Sequence, residues 1–274
     1  MNSQNTKLNL ALIGKSIENS LSPVIHNYFC KQQNIKANYN LIDTNIIDLK
    51  EDEIINLFLS NYIGFNITSP LKERIYNKVL IKDDEVNQIK SINTLAKDKN
   101  NNIIGYNTDY YGFCKSVEFL DLTNKKILIL GAGGTSRTII YALKNSNIFV
   151  TNRTKNKLID LKKDFKNINL VEILDKNFLN SIDFLINTTT KNQTQINLIS
   201  TNDLKLLNKN CIIYDINYQK QDTFLIRESK KIGLQTIDGL NMLINQAAKS
   251  FFHWFKILPL VTKELNQILL QELK

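Results

Sequence analysis

The stretch KKILILGAGGTSRTIIYALKN, residues 125–145, joins an unbroken aliphatic run to a glycine turn and then to a segment with helical spacing. A short run of Ile and Leu with no polar alternation suits a strand buried on both faces, as in parallel sheets covered by helices. Gly131 supplies the positive φ that the tight turn needs, and Gly133 lets backbone approach a pyrophosphate. Ser136 takes the place where a third glycine often sits and is small enough for close helix packing. The helix start directs N–H groups and the positive end of its dipole at an anion. Gly131, Ala132, Gly133, Gly134, Thr135 and Ser136 are therefore candidate cofactor contacts. A Gly-x-Gly turn after a strand also occurs as a purely structural turn, so the next strand has to arbitrate.

That strand is NIFVTNRT, residues 147–154. Asn152 lies 21 residues after Gly131, close to the ~20 expected for the position that meets the ribose. The position is occupied by Asn152-Arg153-Thr154, with no carboxylate, and Lys157 follows one helical turn on. A carboxylate would accept ribose hydroxyls and repel a 2′-phosphate, whereas Arg153 and Lys157 do the reverse. Unless Arg153 merely solvates a strand end, these residues favour NADP(H) over NAD(H).

Outward from this core, strands are expected at 183–190, 211–217 and 234–239, with a helical segment at 156–165. Toward the N-terminus, strands are expected at 8–14, 37–44 and 62–68. Helices are expected at 22–33 (Ser22 as cap, Pro23 at the first position), 48–60 and 71–80. Residues 91–109 suit a hairpin turning at Asp98–Asn102, and 110–120 a helical bridge. The tail from Leu240 to Lys274 is apolar and helical, interrupted at Pro259. Alternation on this scale specifies an α/β protein of two domains. The expected division is an N-terminal α/β substrate-binding domain over 1–108, a C-terminal Rossmann-type dinucleotide-binding domain over 109–239, and terminal helices at 240–274 returning to the first domain.

Composition narrows the function classes. With 43% hydrophobic residues, nine glycines and three prolines in 274, the chain is neither disordered nor of low complexity. No apolar run approaches the ~20 residues of a membrane span, and no signal peptide is expected, so a cytoplasmic enzyme is the expectation. Three widely spaced cysteines and two histidines argue against a disulfide framework and a metal site. The net charge of +9 divides unevenly: residues 1–108 hold 12 basic and 11 acidic side chains, the remainder 23 and 15. The basic residues are scattered among 38 asparagines rather than clustered with aromatics, which disfavours nucleic acid as partner. A polyanionic small ligand on the second half accounts for the same charge.

Polar stretches interrupt the strand ends of the first half at Ser20-Leu-Ser22-Pro23, Asn66-Ile-Thr68-Ser-Pro-Leu-Lys72, Ser91-Ile-Asn93-Thr94 and Gly105-Tyr-Asn107-Thr-Asp109. Together with Gly131–Arg137, Asn152–Thr154, Tyr214–Tyr218 and Gly239–Ala247, these eight pieces in this order resemble shikimate dehydrogenase. The resemblance runs from about residue 10 to residue 250. It implies NADPH-dependent reversible reduction of 3-dehydroshikimate to shikimate, a hydride transfer coupled to a proton. It also implies Lys72 as the acid/base group with Asp109 as its partner. Ser20 and Ser22 then meet the substrate carboxylate, with Tyr218 near it. Thr68, Asn93 and Gln246 meet ring hydroxyls, and Gly239 packs close to the nicotinamide.

Taken singly, Ser22 reads as a helix cap and Asn93 as a turn former, while Asp109 has capping a helix that starts at Tyr110 as its structural alternative. Lys72 differs, because a cation in a helix's first turn opposes the dipole and has no structural use there. His26 reads as a satisfied structural histidine, and His253 and Trp254 as packing residues. The chain departs from the family pattern at Thr190, where Gly-Met usually follows the strand. It departs again at Thr223-Phe224-Leu225, which lacks a central proline, and at Gly14–Asn19, which lacks a Pro and a His. The alternatives to the main expectation are a quinate/shikimate dehydrogenase of wider range and a non-catalytic dinucleotide sensor. The expected assembly is a monomer or homodimer.

Overall fold

The computed structural model describes residues 7–45, 49–189 and 198–273. Its chain divides into two compact units, one comprising Met1–Gly112 with Leu243–Glu272, the other Phe113–Met242.

The first unit carries β1 (Leu8–Gly14), α1 (Ser22–Gln32), β2 (Ala37–Asp43), α2 (Glu51–Asn61), β3 (Gly64–Ile67), α3 (Lys72–Tyr76), α4 (Asp84–Ile89), β4 (Thr94–Lys97) and β5 (Ile103–Tyr106). Its sheet has the order β2-β1-β3-β4-β5, with β1 parallel to both neighbours and β4 antiparallel to β3 and β5. Alternate residues of β1 serve opposite faces, as the pleat requires. Ala11 and Ile13 join Ile54 and Phe58 of α2 and Ile75 of α3 in one core, while Leu10 and Leu12 pack with Tyr39 and Trp254 in another.

The β4–β5 hairpin turns where the sequence places it. The Asp98 carboxylate accepts the N–H groups of Asn100 and Asn102, both at 2.9 Å, and Asn101 takes a left-handed φ of 62°. The helix expected over 71–80 stops at Tyr76 instead. Leu80 is drawn into sheet-like pairing with Ile104, its N–H donating to Ile103 O and its carbonyl accepting from Gly105.

The second unit is bridged from the first by α5 (Thr108–Ser116) and holds β6 (Lys126–Leu130), α6 (Gly134–Ala142), β7 (Asn147–Thr151), α7 (Lys155–Asp164), β8 (Asn169–Leu170), α8 (Lys176–Asn180), β9 (Phe184–Asn187), α9 (Thr201–Leu204), β10 (Ile212–Asp215), α10 (Phe224–Lys231) and β11 (Gln235–Asp238). The six strands are all parallel in the order β8-β7-β6-β9-β10-β11. From β6 the chain builds outward in one direction through β7 and β8, then returns to build the other way from β9. That is the doubly wound arrangement, and its switch point lies between β6 and β9. The aliphatic run of β6 serves both faces. Ile127 and Ile129 pack with α6 and α7, Leu128 and Leu130 with α8, α9 and α10. The two-residue β8 has no periodic signal of its own; it forms because Asn169 and Leu170 pair with Phe149 and Val150.

α11 (Leu240–Phe255) and α12 (Lys263–Glu272) complete the fold. From Leu243 on, α11 belongs to the first unit, where Phe251 meets Phe29 of α1 and the Trp254 indole donates to Leu95 O at 2.9 Å. Among the described residues, no helix is long and apolar enough to cross a membrane, and no group of His, Cys, Asp or Glu could hold a metal ion.

Candidate active site

Lys72 opens α3 directly after the β3 strand end, and Asp109 lies in the first turn of α5. The Lys72 ammonium meets Asp109 Oδ2 at 2.6 Å, with side-chain exposures of only 15% and 8%. Asp109 does not cap α5. That task falls to Asn107, whose Oδ1 accepts the Tyr110 N–H at 3.1 Å while its amide donates to Ser91 O at 2.7 Å. Asp109 keeps both oxygens for side chains, and Asn93 Nδ2 donates to Oδ1 at 2.9 Å. The carboxylate is thus held from two sides, which fixes the direction in which it presents Lys72. A buried pair of this kind costs desolvation, and losing one partner strands the other charge.

Asn93 is the hub of the site. Its Oδ1 accepts the Thr108 N–H at 2.7 Å, and its Nδ2 also reaches Thr108 Oγ1 at 2.9 Å and Gln246 Oε1 at 3.1 Å. It is a connector between β4, α5 and α11 rather than only a turn former. Behind it the hydroxyls of Thr94, Thr108 and Ser250 stand within 2.8–3.2 Å of one another. Asn66 Nδ2 donates to Ser250 Oγ at 2.9 Å and to Thr94 Oγ1 at 3.1 Å, and its Oδ1 accepts the Tyr39 hydroxyl at 2.7 Å. Sequence reasoning missed this supporting layer. Ser250 follows Gln246 by one helical turn, a spacing that puts both on one face, but nothing marks it among other serines.

Ser20 and Ser22 are brought together at the start of α1, with Ser20 Oγ donating to Ser22 Oγ at 3.2 Å and accepting the Ser22 N–H at 3.2 Å. Ser22 is not the cap that the sequence suggests. Leu21 holds that position without a side-chain cap, and Ser20 satisfies the N–H of Ser22, leaving the buried Ser22 hydroxyl free of capping work. Thr68 follows β3, tied by its N–H to Ile13 O at 2.9 Å, with its methyl against Gly14.

His26 lies one turn into α1, fully buried and stacked on Tyr39 at 4.4 Å. Burial holds the ring neutral, its pKa pushed down to about 3, with Asn66 alone pulling the other way. Neither ring nitrogen makes a hydrogen bond of proper geometry among the described residues.

In the second unit, Gly131 has φ +117° and closes the turn after β6. Ser136 Oγ accepts the Gly133 N–H at 3.1 Å and bonds Thr188 Oγ1 at 2.7 Å across the β6/β9 switch point. Gly134, Thr135 and Ser136 form the first turn of α6 behind Ala132, at the positive end of the helix dipole. A side chain at Gly133 would meet nothing within 4 Å, so the turn faces open space in which an anion can sit against backbone. At the end of β7, Asn152 Nδ2 donates to Thr154 O at 3.1 Å. Arg153 and Lys157 are exposed and form no ion pair among the described residues, unlike Lys155, which pairs with Glu172. A phosphorylated dinucleotide fits this donor set.

Tyr218 is half-buried after β10, and Gly239 follows β11, where a Cβ would stand 1.9 Å from Ile216 O. The loops there are gathered by Asp215, which is buried. It accepts from Asn187 Nδ2 at 3.0 Å, Asn217 N at 3.0 Å, Asn217 Nδ2 at 2.7 Å and Thr223 Oγ1 at 2.7 Å. Burial pushes its carboxyl above the usual range while these four bonds pull it back. Thr223, at the second departure from the family pattern, caps α10 through the Ile226 N–H and so fixes the helix start without a proline. The departure at Thr190 lies outside the described residues.

A sequence model described as the shikimate dehydrogenase substrate binding domain matches residues 12–95, and one described as shikimate / quinate 5-dehydrogenase matches residues 115–243. A relative from Pelagibacter ubique named shikimate dehydrogenase (NADP(+)) is 38% identical over 96% of this chain and 99% of its own length. The chain belongs to the shikimate dehydrogenase family. A Clostridium botulinum member is 37% identical over 89% of this chain and 95% of its own. Among solved structures, the shikimate dehydrogenase of Aquifex aeolicus superposes with a TM-score of 0.83 at 29% identity, covering 98% of both chains. That of Thermus thermophilus, solved with NADP(H) and shikimate, gives 0.83 at 25% identity over 97% of this chain and 100% of its own. Both the mixed sheet of the first unit and the doubly wound sheet of the second are thus the architecture of shikimate dehydrogenases.

Proposed function

We propose that this chain interconverts 3-dehydroshikimate and shikimate with NADP(H), using Lys72 as acid/base and Asp109 as its partner. The observation that carries the reading is the 2.6 Å Lys72–Asp109 contact, buried and clamped through Asn93, in a member of this family. Bound NADPH supplies the hydride to the ring carbonyl. The chain supplies the rest. Lys72 Nζ places positive charge and a proton at the oxygen that becomes alkoxide, and is left as the neutral amine until solvent reprotonates it. In the oxidation direction the neutral amine takes the hydroxyl proton. Asp109 does not transfer a proton; it aims Nζ and balances its charge.

Asn93, Gln246 and Thr68 offer amide and hydroxyl groups to ring hydroxyls. Such contacts discriminate sharply, because an analogue lacking one hydroxyl leaves buried groups unpaired. Ser20 and Ser22, at the N-terminal end of the eleven-residue α1, suit a carboxylate, and the family resemblance assigns Tyr218 to the substrate as well. Gly131–Ser136 would hold the pyrophosphate, Asn152, Arg153, Thr154 and Lys157 the 2′-phosphate, and Gly239 the approach of the nicotinamide. The direct test is purified protein with 3-dehydroshikimate, following nucleotide oxidation with NADPH and then NADH, and quinate with NADP+ in reverse. Turnover with NADPH and 3-dehydroshikimate supports the reading. A folded sample inert with NADPH defeats it, and equal rates on quinate would widen the substrate class.

A further inference from the structure

Between β1 and α1 the chain must carry Ser20 and Ser22 to one point, yet residues 15–19 are neither helix nor strand and hold no proline. What orders them comes from the far end of β2. Asp43 Oδ1 accepts the Ser16 N–H at 3.1 Å and the Asn45 N–H at 2.8 Å, and Oδ2 accepts the Ile17 N–H at 3.1 Å. Ser16 has a φ of 54°, a conformation that residues with a side chain seldom hold unaided. Asn45 Nδ2 secures it a second time by donating to Ser16 Oγ at 2.7 Å. Three N–H donors keep the Asp43 carboxyl below the usual carboxylate range, the Asn45 N–H most of all, so it stays an acceptor at working pH.

Ile17 passes this order on. Its side chain is buried with Leu10, Leu12 and Tyr39, its N–H is held by Asp43, and its carbonyl accepts the Ser20 N–H at 2.9 Å. Ser20 Oγ in turn accepts the Ser22 N–H. The path from Asp43 through Ile17 and Ser20 to Ser22 is continuous, with the other end of the loop tied where Lys15 N–H meets Ser69 O at 3.0 Å.

We propose that Asp43 is a positioning residue for carboxylate recognition: through the backbone of Ser16 and Ile17 it sets where Ser20 and Ser22 present their hydroxyls. This rests on the reading above that those serines take the substrate carboxylate. A loop free to wander would still let the ring bind, but at a cost that falls on the carboxylate alone.

The experiment compares shikimate with its methyl ester, which keeps the ring hydroxyls and loses the charge, in the wild type and in Asp43→Ala, Asp43→Asn and Ser22→Ala. In Asp43→Ala the KM for shikimate should rise about tenfold, as expected for loss of a few hydrogen bonds. The KM for the ester and for NADP+ should stay put, with kcat for shikimate within about twofold. Asp43→Asn keeps the Oδ1 acceptor and turns an amide N–H toward Ile17, so it should fall between, and it carries the test if the alanine variant does not fold. Ser22→Ala should erase the preference for the acid. If Ser22→Ala does so while neither Asp43 variant changes the acid-to-ester ratio, the role of Asp43 is overturned. If the Asp43 variants weaken acid and ester alike, Asp43 is merely structural and the proposal fails equally. If Ser22→Ala leaves the preference intact, the serine reading itself falls and the proposal with it.

Discussion

At Lys72 the chain holds a cation where helix electrostatics disfavours one, and the structure shows what it meets there: a carboxylate that α5 does not need for its own cap. Replacing Lys72 by Ala should lower kcat about 10²- to 10⁴-fold, the usual worth of a positioned acid/base, while KM for shikimate moves only a few-fold. Lys72→Arg should not restore turnover, because a guanidinium does not deprotonate. Steady-state kinetics on the two variants check both statements. At Arg153 the expected change is in selectivity. Arg153→Asp removes a charge-assisted contact worth about 1.5–3 kcal/mol, so kcat/KM for NADP+ should fall roughly 10- to 100-fold relative to NAD+. Unchanged selectivity would remove Arg153 from cofactor recognition.

His26 makes a prediction in pH. Its folded pKa, about 3, lies below the ordinary 6.5, so between those values the unfolded chain binds a proton that the native chain refuses. Stability is therefore full above pH 6.5 and is lost as pH falls toward 3. At pH 5 the loss is about 2 kcal/mol. In His26→Leu, denaturant unfolding at pH 5 and pH 8 should show this acid sensitivity reduced by that amount. His26 reads in the sequence as a satisfied structural histidine; it is buried as expected, but neither ring nitrogen finds a well-formed hydrogen bond among the described residues, which no local pattern shows. Lys72 stands out because a cation in a helix's first turn is an unusual residue in an ordinary place, whereas Asp109 is singled out by the family resemblance; what the structure adds is that the two meet. Thr94 and Ser250 carry none, being ordinary residues whose neighbours are set by tertiary packing.

Elements were legible where one physical signal dominated. β6 announces itself by aliphatic content, α6 by the glycine turn before it, and the β4–β5 hairpin by Asp98. Signals that compete are harder. Residues 77–80 continue a helical pattern, and the pairing of Leu80 with β5 overrides it, a contact no local window contains. β8 depends in the same way on its partner strand. The junction after β11 is tighter than sequence can tell. Any side chain at Gly239 collides with the Ile216 carbonyl, a backbone atom that cannot swing aside. Gly239→Ala should push β10 and β11 apart at their ends, lowering Tm by several degrees and raising KM for NADP+ more than KM for shikimate. Thermal melting and two-substrate kinetics would separate that outcome from a uniform loss of protein. The Thr223 cap is milder. Thr223→Ala should cost roughly 1–2 kcal/mol, because it frees the α10 start and takes one donor from Asp215.

At the scale of the molecule, the α/β class and the Rossmann-type second domain were legible, since strands alternate with helices along the chain; the strand order comes from the structure. The charge was legible in amount and ambiguous in purpose. Twenty-three basic against fifteen acidic residues after position 108 accompany the unit that holds Arg153 and Lys157. Because exposed charges are screened within ~8 Å at physiological salt, raising ionic strength should increase KM for NADP+. It should affect KM for shikimate less, since the groups assigned to that substrate's ring are uncharged, the amides of Asn93 and Gln246 being buried. A salt titration of both constants tests this, and equal slopes would contradict it.

The hub at Asn93 has an arithmetic of its own. Its amide nitrogen carries two hydrogens, yet Thr108, Asp109 and Gln246 each present it with an acceptor at 2.9–3.1 Å. At most two of the three can be full two-centre bonds at once, so one acceptor shares a hydrogen or is left with capacity to spare. A hydroxyl of a bound polyol is suited to fill it, because it arrives with a hydrogen to give and lone pairs to receive. The hub that joins β4, α5 and α11 would then be completed by the ligand itself.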